Sequence, residues 1–207
     1  EALAQIDQLL ATDPRSPSFR NLKAAVLARV GEYDEAIRLF EQLLREYALQ
    51  AKVWLSYGHA LKTAGRQDDS IAAYRKSIEL EPRLGEAYWS LANLKTFRFA
   101  EADVAAMRAQ LERSDLTQED RFHFHFALGK AAEDATDYAD SFHHYAEGNR
   151  LRKEVVPYDS GTVSENVRRS RALFTPGFFA ARHGVGCAAP DPIFVVGLPR
   201  SGSTLVE

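Results

Sequence analysis

The sequence predicts an all-α helical solenoid followed by the first strand and phosphate-binding loop of an α/β domain. Three observations carry this reading. Large and small residues recur at a spacing of 34 positions, proline and glycine mark the edges of each recurrence, and a short β-branched run precedes a glycine-bounded loop near residue 200.

Composition bounds the function before any motif is read. Of 207 residues, 45% are hydrophobic and 27% are charged, which suits a soluble folded chain. A formal net charge of -3 gives no general attraction to nucleic acid or to an anionic membrane, so neither is expected as a partner. The single cysteine, Cys187, excludes an internal disulfide framework and reads as a bystander thiol in a small-residue loop. No apolar run approaches the ~18 residues of a membrane span. The chain opens Glu1-Ala2-Leu3-Ala4, without methionine, basic leader or apolar core, in what reads as mid-helix. A truncated N-terminus and a cytoplasmic location are the resulting expectations.

The recurring unit is clearest from Ala51 onward. Trp54, Tyr57, Gly58 and Leu61 fall on a first helix, Gly65 on a turn, and Ser70, Tyr74 and Ser77 on a second helix stopped by Pro82. Gly31 fills the same turn 34 residues earlier, with Ala24, Leu27, Ala36, Phe40 and Leu43 in equivalent slots. Glu1 to Pro14 then reads as the second helix of a partial unit, with Ala2, Ile6 and Leu9 inward. Further on, Leu128, Gly129, Ala132, Tyr138, Ser141, Tyr145 and Gly148 fit again. Small residues at Gly58 and Ser70 should let paired helices approach closely, and Tyr74 should fill the space beside them. Ser16 before Pro17 reads as a cap with proline at the first helical position. Thr117 with Asp120 reads as a capping box.

This pattern resembles the tetratricopeptide repeat. Units are expected at about 1–16 (partial), 17–50, 51–84, 85–121 and 122–155, making a repeat region over 1–155. The unit 85–121 is degenerate: it is 37 residues long, has Phe99 at the turn position and Val104 at a small-residue slot. Its second helix is traced through Val104, Met107 and Leu111.

Repeat stacks present a concave surface where partners lie. The expected groove residues are Asn21, Arg29, Lys52, His59, Lys62, Trp89, Asn93, His123 and Lys130, a mixed and mildly basic set suited to a protein segment or a polar acceptor. The lysine and asparagine clamp that some such repeats use for chaperone tails is not reproduced at Asn21 and Ala25. His123 and His125 diverge by about 200° on one helix, and His143 and His144 by about 100°. They read as helix-surface histidines, and no metal site is expected.

A connector and linker are expected over 156–190. Pro157 to Gly161 is a breaker cluster, a helix runs from about Thr162 to Phe174 with Val163, Val167 and Leu173 apolar, and Thr175-Pro176 caps a short helix. Arg168, Arg169 and Arg171 read as a solvated helix face.

The chemistry sits in 191–207. Ile193 to Val196 reads as a buried strand, and Gly197-Leu198-Pro199-Arg200-Ser201-Gly202-Ser203-Thr204 follows at once. Strand, glycine-bounded loop and helix start form an anion cradle of backbone N–H groups. Gly197 and Gly202 match a Walker A frame, but Ser203 stands where that motif needs lysine, which weakens a nucleotide-hydrolysing reading. Pro199 to Thr204 resembles the donor-binding loop of sulfotransferases. Behind a repeat region and connector, the whole resembles the bacterial tetratricopeptide-repeat sulfotransferases.

That resemblance implies a truncated α/β sulfotransferase domain beginning near residue 191. Its donor would be 3′-phosphoadenosine 5′-phosphosulfate (PAPS), with no metal. Arg200 would contact the 5′-phosphosulfate, Ser201, Ser203 and Thr204 would supply further donors, and Gly202 would let the backbone approach. The acceptor, a hydroxyl or amine on a peptide, carbohydrate or small alcohol, is not identified. The catalytic base and the 3′-phosphate site are expected beyond Glu207, so the 207 residues alone are expected to be inactive. The alternative is a repeat scaffold for protein–protein interaction without catalysis, and a further one is a phosphotransferase with an unusual loop.

Overall fold

The computed structural model describes residues 2–94, 96–156 and 158–186. The expected strand over 193–196, the loop residues Arg200, Ser201, Gly202, Ser203 and Thr204, and Cys187 lie outside the described residues, as does part of the linker. The chain divides into two compact units, Glu1–Pro157 and Tyr158–Glu207.

The first unit is all-α. Its helices are α1 (Ala2–Thr12), α2 (Pro17–Val30), α3 (Tyr33–Glu46), α4 (Ala51–Thr63) and α5 (Gln67–Leu80), then α6 (Gly85–Ala92), α7 (Glu101–Leu111), α8 (Gln118–Asp134) and α9 (Tyr138–Val155). Three regular hairpins, α2/α3, α4/α5 and α8/α9, carry the array. Between neighbouring hairpins α3 packs on α4 and α5 on α6, as a solenoid requires. Ala24, Leu27, Ile37, Phe40, Leu43, Val53 and Leu61 form one continuous core across the first two hairpins. Burying a side chain such as Phe40 contributes about 1.5–3 kcal/mol.

Small residues close the hairpins as the sequence predicts. A Cβ on Gly58 would stand 2.5 Å from the ring of Tyr74. In the last hairpin a Cβ on Gly129 would stand 3.0 Å from the ring of Tyr145, the same contact repeated. Ser141 donates its hydroxyl to the Gly129 carbonyl at 2.9 Å, and Ser77 donates to the Ala51 carbonyl at 2.9 Å.

The turns share one backbone device. Glu32 N–H bonds Leu27 O at 3.0 Å, Arg66 N–H bonds Leu61 O at 2.9 Å, and Asp137 N–H bonds Ala132 O at 2.9 Å. This tie puts the residue before each donor in the left-handed region. Gly31 (φ 95°) and Gly65 (φ 79°) adopt it freely, but in the last hairpin Thr136 adopts it at φ 62°. A β-branched residue there is strained. Thr136→Gly is therefore expected to stabilise the protein by about 0.5–1 kcal/mol, net of glycine's extra unfolded-state entropy. A urea midpoint that falls instead would contradict the strain.

The degenerate unit has a structural cause for its length. α6 spans only 8 residues and packs along α8, and α7 also packs on α8 rather than completing a hairpin with α6. Phe97 and Phe99 meet edge to face at 5.1 Å in the connecting segment. Arg75 lies 5.1 Å over Phe97 and reaches Asp103 at 2.8 Å, tying that segment to α5 and α7. Met107, expected on the second helix, is fully buried against Tyr88, Phe124 and Leu128.

Two capping expectations need correction. Ser16 occupies the cap position of α2, but its side chain makes no cap bond; the fixed φ of Pro17 starts the helix. Thr117 does accept from Asp120 N–H at 3.1 Å. The Asp120 carboxylate, however, accepts from the Thr117 hydroxyl at 2.6 Å rather than from the Thr117 backbone N–H that a full capping box needs. It also accepts from Gly85 N–H at 2.9 Å, satisfying an orphan donor at the start of α6.

The second unit contains α10 (Ser160–Leu173) and α11 (Pro176–Ala180). α10 begins slightly earlier than expected because Asp159 accepts from Gly161 N–H at 2.8 Å and Thr162 N–H at 3.2 Å. Thr175 caps α11 through Phe178 N–H at 3.2 Å, as predicted. Val163, Val167 and Leu173 are exposed rather than packed. Arg168 and Arg169 both pair with Glu165 on their own helix, the solvated face that was expected.

Candidate functional site

Among the described residues, the most convergent polar set lies on the first helices of three successive units. A cavity of about 340 Å³ is lined by Lys52, Ser56 and His59 of α4, by Leu84 and Glu86 at the start of α6, and by Thr117, Glu119, Asp120 and His123 around the start of α8. Lys52, Glu86 and His123 hold the second position of the units 51–84, 85–121 and 122–155. The stacking of units therefore brings them to one wall by register.

A chain of contacts anchors this wall in the core. Tyr74 is fully buried, and its hydroxyl lies 2.9 Å from His59 Nδ1. Burial raises the phenol's pKa, so it stays protonated and serves as the donor. Accepting that proton on Nδ1 leaves the neutral His59 ring with its own proton on Nε2. Nε2 stands 3.6 Å from Glu86 Oε1, beyond hydrogen-bond length but within reach of the carboxylate's field. The His59 imidazole beside it, helped by His123 and Lys52, holds the Glu86 carboxyl below the usual carboxylate range against the opposing effect of burial.

His123 is the least satisfied member. It is only 8% exposed, and its Nδ1 is buried with no hydrogen-bond partner. Burial pushes its pKa down, so the ring is neutral at pH 7 and keeps an acceptor nitrogen. Asp120 is already committed to Gly85 and Thr117. A neighbouring cavity of about 290 Å³, lined by Arg29 of α2 and by Ser56 and His59 of α4, extends the surface along the array. A larger cavity of about 450 Å³ at Leu49, Leu80 to Arg83, Gln110 and Arg113 has one orphan atom, Gln110 Oε1, but its charged groups are paired, Arg83 with Glu81 and Arg113 with Asp115.

Of the residues expected in the groove, the structure brings together Lys52, His59 and His123, with Arg29 joined through His59. Trp89 packs 5.4 Å from Phe126. Lys130 pairs with Asp134, and Asn93 is the exposed cap residue of α6. Asn21 and Lys62 line neither cavity. Glu86 and Glu119, which also line the cavity, are not among the groove residues expected from the sequence. The signal that finds Glu86 is its register, one unit after Lys52.

The surface reading holds for His143, which is exposed, and is corrected for the other three histidines of α8 and α9. His123 and His144 are buried and His125 is half-buried. His125 Nδ1 and His144 Nδ1 lie 3.0 Å apart across α8 and α9, one donating to the other. Burial first, and the neighbouring His144 second, push His125 down to about 4, and burial also lowers His144. Arg108, Arg121, Asp140, His143 and Glu147 set the field around the pair. Both folded-state values lie below the unfolded one, so stability is present above about pH 6.5 and lost as pH falls toward the pair's own values. Unfolding by urea should thus need less denaturant at about pH 5 than at about pH 7, and His125→Gln/His144→Gln should shrink that difference. An unchanged difference would contradict it. Among the described residues no three ligating side chains converge to hold a metal, and no helix is long and apolar enough to cross a membrane.

Comparison with known proteins agrees with this geometry. A family model described as "Tetratricopeptide repeat" matches residues 1–51 and 24–85. An uncharacterised protein of Aquifex aeolicus (strain VF5) is 24% identical over 191 residues, covering 92% of this chain and 25% of that protein. The small glutamine-rich tetratricopeptide repeat-containing protein 2 of Mycosarcoma maydis is 28% identical over 81 residues, covering 39% of this chain and 23% of that protein. The chain thus spans about a quarter of the length of the curated relatives it matches. A crystal structure of MamA superposes with TM-score 0.54 at 14% identity, covering 76% of this chain and 90% of its own. The MamA RS-1 ArsTM double mutant gives 0.52 at 18% identity, covering 74% and 84%. These two likenesses speak for the fold alone. The family match covers residues 1–85, and the hairpin packing and turn device carry the same helical-repeat fold on through α9.

Proposed function

We propose that the array is a docking platform that holds an extended segment of a protein partner along α2, α4, α6 and α8. The observation that carries this is the cavity shared by three units. There Lys52, His59, Glu86, Glu119 and His123 converge with hydrogen-bonding capacity left over. A surface whose polar groups were all satisfied internally would offer a segment only shape. Here register, burial and unspent donors and acceptors give it chemistry.

Photo-crosslinking tests the reading. A photoreactive residue at Ser56 should capture one reproducible segment of a partner, mapped by mass spectrometry, whereas the same residue at the exposed Ala72 of α5 should not. Equal capture at both positions would contradict the groove.

A second reading is favoured by one specific observation, the string Pro199-Arg200-Ser201-Gly202-Ser203-Thr204. On it we propose that the array serves a PAPS-dependent sulfotransferase and brings an acceptor to it. Arg200 would neutralise the donor's 5′-phosphosulfate, and Gly202 with the hydroxyls of Ser201, Ser203 and Thr204 would complete the cradle. The reading rests on the sequence of this loop. In the natural full-length protein, adenosine 3′,5′-bisphosphate should bind, and Arg200→Ala should weaken it by at least tenfold. Binding unaffected by that change would remove the loop from the account.

A further inference from the structure

Resting on the docking reading above, we propose that the cavity at α4, α6 and α8 is a subsite for a cationic side chain, lysine or arginine, of the docked segment. The lining presents three carboxylates, Glu86, Glu119 and Asp120, against the single ammonium of Lys52. Asp120 is spent on Gly85 and Thr117. Glu119 has no hydrogen-bond or ion-pair partner among the described residues, and Glu86 has only His59 at 3.6 Å. Glu119, with no such partner, and Glu86, held only loosely by His59, therefore outweigh the one ammonium.

The histidines complete the selectivity. His59 is turned by Tyr74 so that its accepting nitrogen faces the core. His123, nine-tenths buried and with an orphan Nδ1, lines the same cavity as a ring whose hydrogen-bonding capacity is not spent within the protein. A guest that only donates meets carboxylates and this ring as acceptors. Lysine has three donors and arginine five, and neither has an acceptor. An acidic guest would meet Glu86 and Glu119 as like charges and leave His123 unpaired, at a cost that like-charge juxtaposition makes large. A leucine would bury the same acids without compensation. The subsite is thus opposite in sign to a clamp for an acidic chain terminus.

The adjoining cavity, which shares Ser56 and His59 with this one, favours a side chain carried on a chain over a free amine. The backbone of an extended segment would run over Ser56 toward the adjoining cavity at Arg29, whose guanidinium suits a carbonyl or an acidic neighbour of the guest. A basic residue flanked on one side by an acidic one is the motif this surface reads best.

The test is an NMR titration of the full chain with blocked pentapeptides, Gly-Ala-X-Ala-Gly, where X is Lys, Leu or Glu, and with butylammonium. The lysine peptide should shift the amides of His59, Glu86 and His123 saturably, at least fivefold more tightly than the other two peptides and than butylammonium. Glu86→Gln should weaken the lysine peptide by about tenfold, and raising salt from ~0.05 to ~0.5 M should weaken it further. Glu119→Gln, at an exposed position, serves as a second variant should Glu86→Gln perturb folding. Equal binding of the leucine or glutamate peptide at this cavity would overturn the cationic subsite while leaving the docking groove standing. Butylammonium binding as tightly as the lysine peptide would overturn it in favour of a free-amine site. Absence of shifts for every probe would overturn the subsite, while the docking groove is judged separately by the crosslinks at Ser56 and Ala72.

Discussion

Tyr74→Ala is expected to lower the unfolding free energy by about 3–5 kcal/mol. The residue is 0% exposed and fills the space that Gly58 leaves between α4 and α5. No neighbour can collapse into the void, because Leu55, Leu84, Ala87 and Leu91 pack around the ring from adjoining elements. Tyr74→Phe separates packing from hydrogen bonding. It keeps the ring and loses only the hydroxyl's bond to His59, which costs about 1 kcal/mol. It also releases the His59 ring, so the cavity should lose affinity for its guest more than the fold loses stability. Urea unfolding of both variants measures this. Similar losses for Ala and Phe would show that the ring contributes little packing.

Gly85→Ala should cost about 2–3 kcal/mol by overpacking. A Cβ there would lie 2.3 Å from the Asp120 carbonyl oxygen and 3.0 Å from the Asp120 Cα, all backbone atoms that no rotamer change can move. α6 and α8 must separate, and the Gly85 N–H bond to Asp120 stretches with them. The gain in helix propensity, at most about 1 kcal/mol, offsets only part of this. Gly177→Ala is the control, since its nearest neighbour atom is 3.9 Å away, and it should be neutral within about 0.5 kcal/mol. Because Gly85 joins the walls of the cavity, its substitution should also abolish the lysine-peptide shifts. Thermal or urea stability equal to that of the unmodified chain would mean that α6 and α8 are not held at this distance.

The repeat was legible because its constraints are local. Gly31, Gly65, the pairs Gly58 with Tyr74 and Gly129 with Tyr145, and the proline stops each serve one hairpin, so spacing alone exposes them. The length of the unit 85–121 also announced a break, although not that α6 would lie on α8 without α7 as its hairpin partner. Thr136 hid the third turn, since its strain comes from a backbone tie that leaves no glycine to read. His125 and His144 were misread for a different reason. They meet only when α8 and α9 are paired, and helical wheels of either helix alone place them apart. The site was half legible: Lys52, His59 and His123 stood out as cations or rings. Glu86 needed the register of successive units rather than its own character. The donor-loop residues Arg200 to Thr204 lie outside the described residues, and their role stays a proposal from sequence.

On the proposed reading, one groove floored by α4, α6 and α8 takes the partner. Hydrogen–deuterium exchange of the full chain, with and without the segment recovered by crosslinking at Ser56, tests it most directly. Protection concentrated at the exposed ends of α4, α6 and α8 around Lys52, Glu86 and Glu119 is the predicted result. Protection centred on α5, α7 and α9, with those three positions unchanged, would contradict it.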